Sequence, residues 1–102
     1  MAQRVIWSDV AIIDRREIFE YWNNRNRSKN YSRKLNKLFQ ENIELIANHP
    51  TLGRPTRLLN VRSLIVRDYA VVYDLSSEQD IKILRIWDTR QNPDKLFKRI
   101  DI

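Results

Sequence analysis

Residues that break regular structure are scarce in this chain, and where they fall divides it in two. The one glycine is Gly53, and the prolines stand at 50, 55 and 93. Turn chemistry is therefore concentrated in NHPTLGRP (48–55) and QNP (91–93), since glycine and proline punctuate local structure most strongly. Before the first block, apolar residues recur at helical spacing. After it they crowd into short runs rich in Val, Ile and Tyr. No repeat, linker or low-complexity tract interrupts the 102 residues, so 1–102 is expected to be a single domain with one modest core.

Within the first half, QRVIW (3–7) is a short apolar-rich run ended by Ser8, which predicts a strand followed by a helix N-cap. From Asp9 to about Arg25, Ala11, Ile18 and Trp22 fall on one helical face with Ile12 and Phe19 beside them. A second helix is predicted from about Ser28 to Ala47. Tyr31, Leu35, Leu38, Phe39, Leu45 and Ile46 give it an apolar stripe, and Arg33, Lys34, Lys37, Glu41 and Glu44 decorate the other faces. Asn48-His49-Pro50 then stops it, because a residue before proline avoids the helical region.

Three strand-like segments make up the second half. VRSLIVR (61–67) and YAVVYDL (69–75) are separated by Asp68 alone, which implies a very tight connection. DIKILRIWD (80–88) follows the turn SSEQ, and the tail PDKLFKRIDI is compatible with a short helix or an added strand. The order β-α-α-β-β-β predicts an α+β domain, with two N-terminal helices packed on one face of a small, mostly antiparallel sheet.

Composition narrows the function. There is no cysteine, which removes disulfides, thiolate metal sites and cysteine nucleophiles; with a single histidine, no metal or other cofactor is expected. No apolar run is long enough to cross a bilayer and the N-terminal residues lack a signal-peptide core, so a cytoplasmic protein without membrane contact is expected. Nineteen basic against thirteen acidic residues give a net charge of +6, and arginine outnumbers lysine. A field of that sign favours nucleic acid, the ribosome or an acidic protein partner.

IANHPTLGRP, VRSLIVRDYAVVYDL and IKILRIWDTRQNP, in that order, resemble the RelE/ParE superfamily of bacterial toxins. That family carries a helix, an HPxxGR-type loop, an R-x-L strand, a Y-x-V-x-Y strand and a final I-x-I-L strand; SDVAIIDRREIFEYW also fits its first helix. The resemblance spans almost the whole chain. It implies the toxin of a type II toxin–antitoxin pair, bound by a cognate antitoxin through an acidic C-terminal segment. RelE-like members cut messenger RNA on the ribosome and ParE-like members poison DNA gyrase, so one fold serves two activities. A ribosome-dependent mRNA endoribonuclease is the first expectation. A gyrase inhibitor without catalysis, or a degenerate member that only binds antitoxin, is the alternative.

RNA cleavage by an adjacent 2′-OH needs orientation, charge stabilisation on the phosphate and two proton transfers. Arg67 and Arg90 match the phosphate-contacting arginines of RelE-like members, and Arg62 matches the R-x-L arginine of ParE-like ones. Asp88 is the nearest base, and Arg90 two residues on would hold it ionised. Arg67, Arg90 and Asp88 are therefore the catalytic candidates, with Arg54, Arg57, Arg62, Arg85 and Trp87 as target-binding candidates. Past Tyr73 the chain has no Tyr or His to serve as the acid, which favours a binding poison. His49, at a helix end before Pro50, is expected to cap that end. Strict alternation places Trp87 with Ile81, Ile83 and Arg85, and Leu84 and Ile86 on the opposite side. Trp87 would there either stack on a base or close the core.

Overall fold

The computed structural model describes residues 3–92 and 95–96. Its elements are β1 (Arg4–Trp7), α1 (Asp9–Asn26), α2 (Asn30–Asn48), β2 (Arg54–Pro55), β3 (Val61–Val66), β4 (Tyr69–Asp74) and β5 (Asp80–Asp88). The expected order is present, with one addition. Two residues, Arg54 and Pro55, pair antiparallel with Ser63 and Arg62 as a fifth strand. So short a strand leaves no periodic signal, and an edge position tolerates a proline that cannot donate.

The strands lie in the order β1-β5-β4-β3-β2, with β1 parallel to β5 and the other pairs antiparallel. Ser8 caps α1 as expected: its Oγ accepts from the Ala11 N–H at 3.0 Å and donates to the Leu84 carbonyl at 2.9 Å. The helix start is thereby tied to β5 just past the point where β1 stops pairing. In α2, Leu35, Phe39, Ile43 and Ile46 are buried against the sheet. Leu45, part of the predicted stripe, is largely exposed instead. His49 is the C-cap of α2, through its backbone N–H to the Leu45 carbonyl. Among the described residues no helix is long and apolar enough to cross a membrane.

A bulge changes which side chains share a face. Tyr73 pairs with Ile83 but Val72 pairs with Arg85, so Leu84 is an extra residue in β5. One inserted residue reverses every side chain that follows it. Strict alternation is therefore corrected: Ile81, Ile83 and Ile86 all join the helix-side core, whereas Leu84 and Trp87 lie in the cluster on the other face. The helix-side core also holds Leu35, Phe39, Tyr69 and Tyr73. The second cluster gathers Val61, Ala70, Val72 and Trp87, with Leu96 as its contribution from the C-terminal segment. The rest of that segment, including Phe97, lies outside the described residues.

Candidate functional site

The candidate arginines fall into two groups at opposite ends of the sheet. At one end, β3 and β4 join through Arg67 and Asp68, and Val66 pairs with Tyr69. Both the backbone N–H and the hydroxyl of Thr89 donate to the Asp68 carbonyl, at 2.9 and 2.8 Å. The hairpin tip is thereby fastened to the segment after β5, which brings Arg67 and Arg90 to one rim. Arg67 has φ 59°, the left-handed region that two-residue hairpins require and that an arginine adopts at a cost of about 1–2 kcal/mol.

Arg90 and Asp88 are already engaged with each other. The guanidinium donates twice to the carboxylate at 2.9 Å, and the Arg90 backbone N–H donates a third time. These bonds hold the Asp88 carboxyl below the ordinary aspartate range and push the Arg90 guanidinium above its own. A carboxylate so stabilised is a weaker base, which removes much of the case for Asp88 as proton acceptor.

Beside this rim, α1 and β5 enclose a cleft of about 390 Å³ whose wall includes Asp14, Glu17, Tyr21, Tyr69, Trp87 and Arg90. Asp14 accepts from Arg85 Nε at 2.8 Å, from Arg85 Nη2 at 2.9 Å and from the Ile86 N–H at 3.1 Å. The carboxylate so completes the β5 edge that β1 leaves unpaired and neutralises the buried cation of that strand. Two binding candidates are corrected by this packing. Arg85 is 6% exposed and bound to Asp14, and Trp87 is 8% exposed in the second core with the Arg85 guanidinium over its ring. Both side chains are packed within the protein rather than exposed.

Tyr69 lines the same cleft and was not singled out in the sequence. Its hydroxyl accepts from Trp22 Nε1 at 2.8 Å, and burial raises its pKa above the usual tyrosine value. Burial raises Tyr73 likewise. A raised folded pKa keeps the neutral form, so this stability is complete below about pH 10 and lost as pH rises through the folded value. In an alkaline titration followed by tyrosinate absorbance, these two rings should ionise later than free tyrosine and together with unfolding. Ionisation of all four tyrosines near pH 10 in the folded protein would contradict the packing.

The second group sits about 16 Å away along β3, at ~3.3 Å per residue. Arg54 and Arg57 are exposed there. Arg62 turns inward on the loop before β2: its Nη1 donates to the Thr51 carbonyl at 3.2 Å and the Gly53 carbonyl at 2.7 Å. Tyr73 fastens the same loop, donating to the Pro50 carbonyl and accepting from the Gly53 N–H, each at 2.8 Å. The sole glycine is required by this close approach of ring to backbone.

A family model described as the ParE toxin of type II toxin–antitoxin systems, parDE, matches residues 5–93. Among solved structures, a chain from the chromosomal ParDE system of P. aeruginosa superposes with a TM-score of 0.73 at 19% identity, covering 85% of this chain and 96% of that one. No functionally curated protein matches the sequence.

Proposed function

Because the chain belongs to the ParE toxin family of type II toxin–antitoxin systems, we propose that it arrests growth by binding DNA gyrase and performs no chemistry of its own. The supporting observation is the internal pairing of four charged groups of the cleft. Asp14 is bound to Arg85 and Asp88 to Arg90. Tyr69 is 3% exposed and held by Trp22, which leaves Glu17 and Tyr21 on α1 as the exposed wall groups able to move a proton. A ribonuclease needs a phosphate-facing cation with an acid and a base in reach. A protein that only binds needs none of these. The shared rim of Arg67 and Arg90 is the feature that speaks for the endoribonuclease reading, and it suits an acidic surface on a protein target equally well.

The family implies a cognate antitoxin, and an acidic C-terminal segment would complement the net charge of +6. Such an association weakens with added salt. The test adds the purified chain to gyrase, plasmid and ATP. Accumulation of gyrase-cleaved linear DNA is expected, and unchanged supercoiling at stoichiometric excess would contradict the proposal. Arg67→Gly suits the backbone at φ 59° and should keep the fold. It should weaken inhibition about tenfold, as loss of one charge-assisted contact worth ~1.5 kcal/mol does.

A further inference from the structure

The net positive charge of this protein is concentrated in one stretch of the chain. Residues 21–40 contain six lysines and arginines and no aspartate or glutamate, while the rest of the chain holds thirteen of each sign. The whole +6 therefore belongs to the helical hairpin, from the last turns of α1 to the middle of α2. Arg25, Arg27, Lys29, Arg33, Lys34 and Lys37 are all exposed. None of the six takes part in an ion pair among the described residues.

The corner that carries them is built firmly. Asn23 receives the Arg27 and Ser28 backbone N–H groups on its carbonyl, and its side chain accepts from the Ser32 hydroxyl. Arg27 occupies the left-handed cap position with φ 49°, where glycine would be the less strained residue. A further cation is thus held at the tip in spite of its backbone preference. Lys29 at the N-cap, then Arg33 and Lys37, follow one another at single-turn spacing, about 6 Å apart along α2.

We propose that this hairpin is a contact surface for the phosphate backbone of duplex DNA. The character of the patch selects that occupant. Protein-docking surfaces have an apolar centre, and membrane-binding helices insert apolar side chains. Here the only large apolar side chain that is well exposed within 21–40 is Tyr21. Trp22 and Tyr31 are packed edge to face against one another at 4.6 Å, so they offer no stacking platform for unpaired bases. What remains is cations interspersed with asparagines, the chemistry of backbone contacts that position without reading sequence. The inference concerns the free toxin and stands apart from the gyrase proposal.

The test is binding of the full chain to a mixed-sequence DNA duplex, followed by fluorescence anisotropy across a salt series without gyrase. Each phosphate contact adds about 0.9 to the slope of log affinity against log salt. A variant combining Arg25→Gln, Arg33→Gln, Lys34→Gln and Lys37→Gln should flatten that slope by roughly 3 to 4. A control of nearly equal charge, Arg16→Gln with Lys82→Gln and Lys95→Gln, should leave the slope unchanged, and circular dichroism verifies that both variants fold. Equal losses in the two variants would overturn the inference, because bulk charge would then suffice. Absence of duplex binding by the wild type, or equal affinity for polyglutamate or anionic vesicles at the same salt, would overturn it too.

Discussion

Replacing Asp14 with alanine is expected to destabilise the fold by roughly 3–5 kcal/mol, the range found when one partner of a buried ion pair is removed. For a domain of this size each kcal/mol lowers the melting temperature by about 4–8 °C. The Asp14 and Arg85 side chains are only 9% and 7% exposed and are joined by two hydrogen bonds. Deletion strands the guanidinium and also the Ile86 N–H, which has no strand partner on that edge. Replacing both members by apolar residues, as in Asp14→Leu with Arg85→Met, should recover most of the loss, since paired apolar substitutions at such sites are often neutral. Urea denaturation of the two variants checks this. A loss below ~1 kcal/mol in Asp14→Ala, the level of an exposed pair, would show that the pair is solvated.

Gly53→Ala carries the second large effect. A Cβ there would lie 2.6 Å from the Tyr73 hydroxyl oxygen, 2.9 Å from its ring and 3.0 Å from the Ser63 carbonyl. Overpacking of this kind typically costs about 1–3 kcal/mol. Displacing the phenol further unpairs the Gly53 N–H and the Pro50 carbonyl, so a total of roughly 2–4 kcal/mol is expected. Tyr73→Phe removes the nearest of the atoms that the methyl would strike but forfeits the same hydrogen bonds. The double variant should therefore lose clearly less than the sum of the singles, since residues in contact are not additive. Additive losses in thermal melts would mean that ring and loop do not meet. The consequence reaches the surface, because Arg62 is held by carbonyls of that same loop.

Most of the architecture was legible in the sequence because its cues are local. Ser8, the apolar stripe of α2 and the alternative of helix or strand on either side of NHPTLGRP each depend on neighbouring residues. The pairing of charges was not, since Asp14 and Arg85 are far apart in the chain and meet only when α1 crosses β5. A trace of it existed: Asp14 shares the helical face of Ala11, Ile18 and Trp22, and Arg85 interrupts the apolar run 83–87. A buried charge on each of two apolar faces invites the inference of a pair. The bulge at Leu84 left no such trace, as every residue of IKILRIW suits a strand in either register. That single insertion moved Trp87 into the second core. The six cations of the helical hairpin read along the chain as ordinary solvated residues, and only their lack of an ion pair among the described residues sets them apart.

The central claim is that the Asp14–Arg85 and Asp88–Arg90 pairs of the α1–β5 cleft are engaged internally, so the protein acts by occupying a target. The most direct measurement is primer extension on messenger from a translating bacterial extract supplied with the purified, folded chain. Full-length messenger at toxin concentrations that convert gyrase-bound plasmid to linear DNA is the expected result. Messenger cut at defined positions, and left intact by Arg67→Gly, would contradict it.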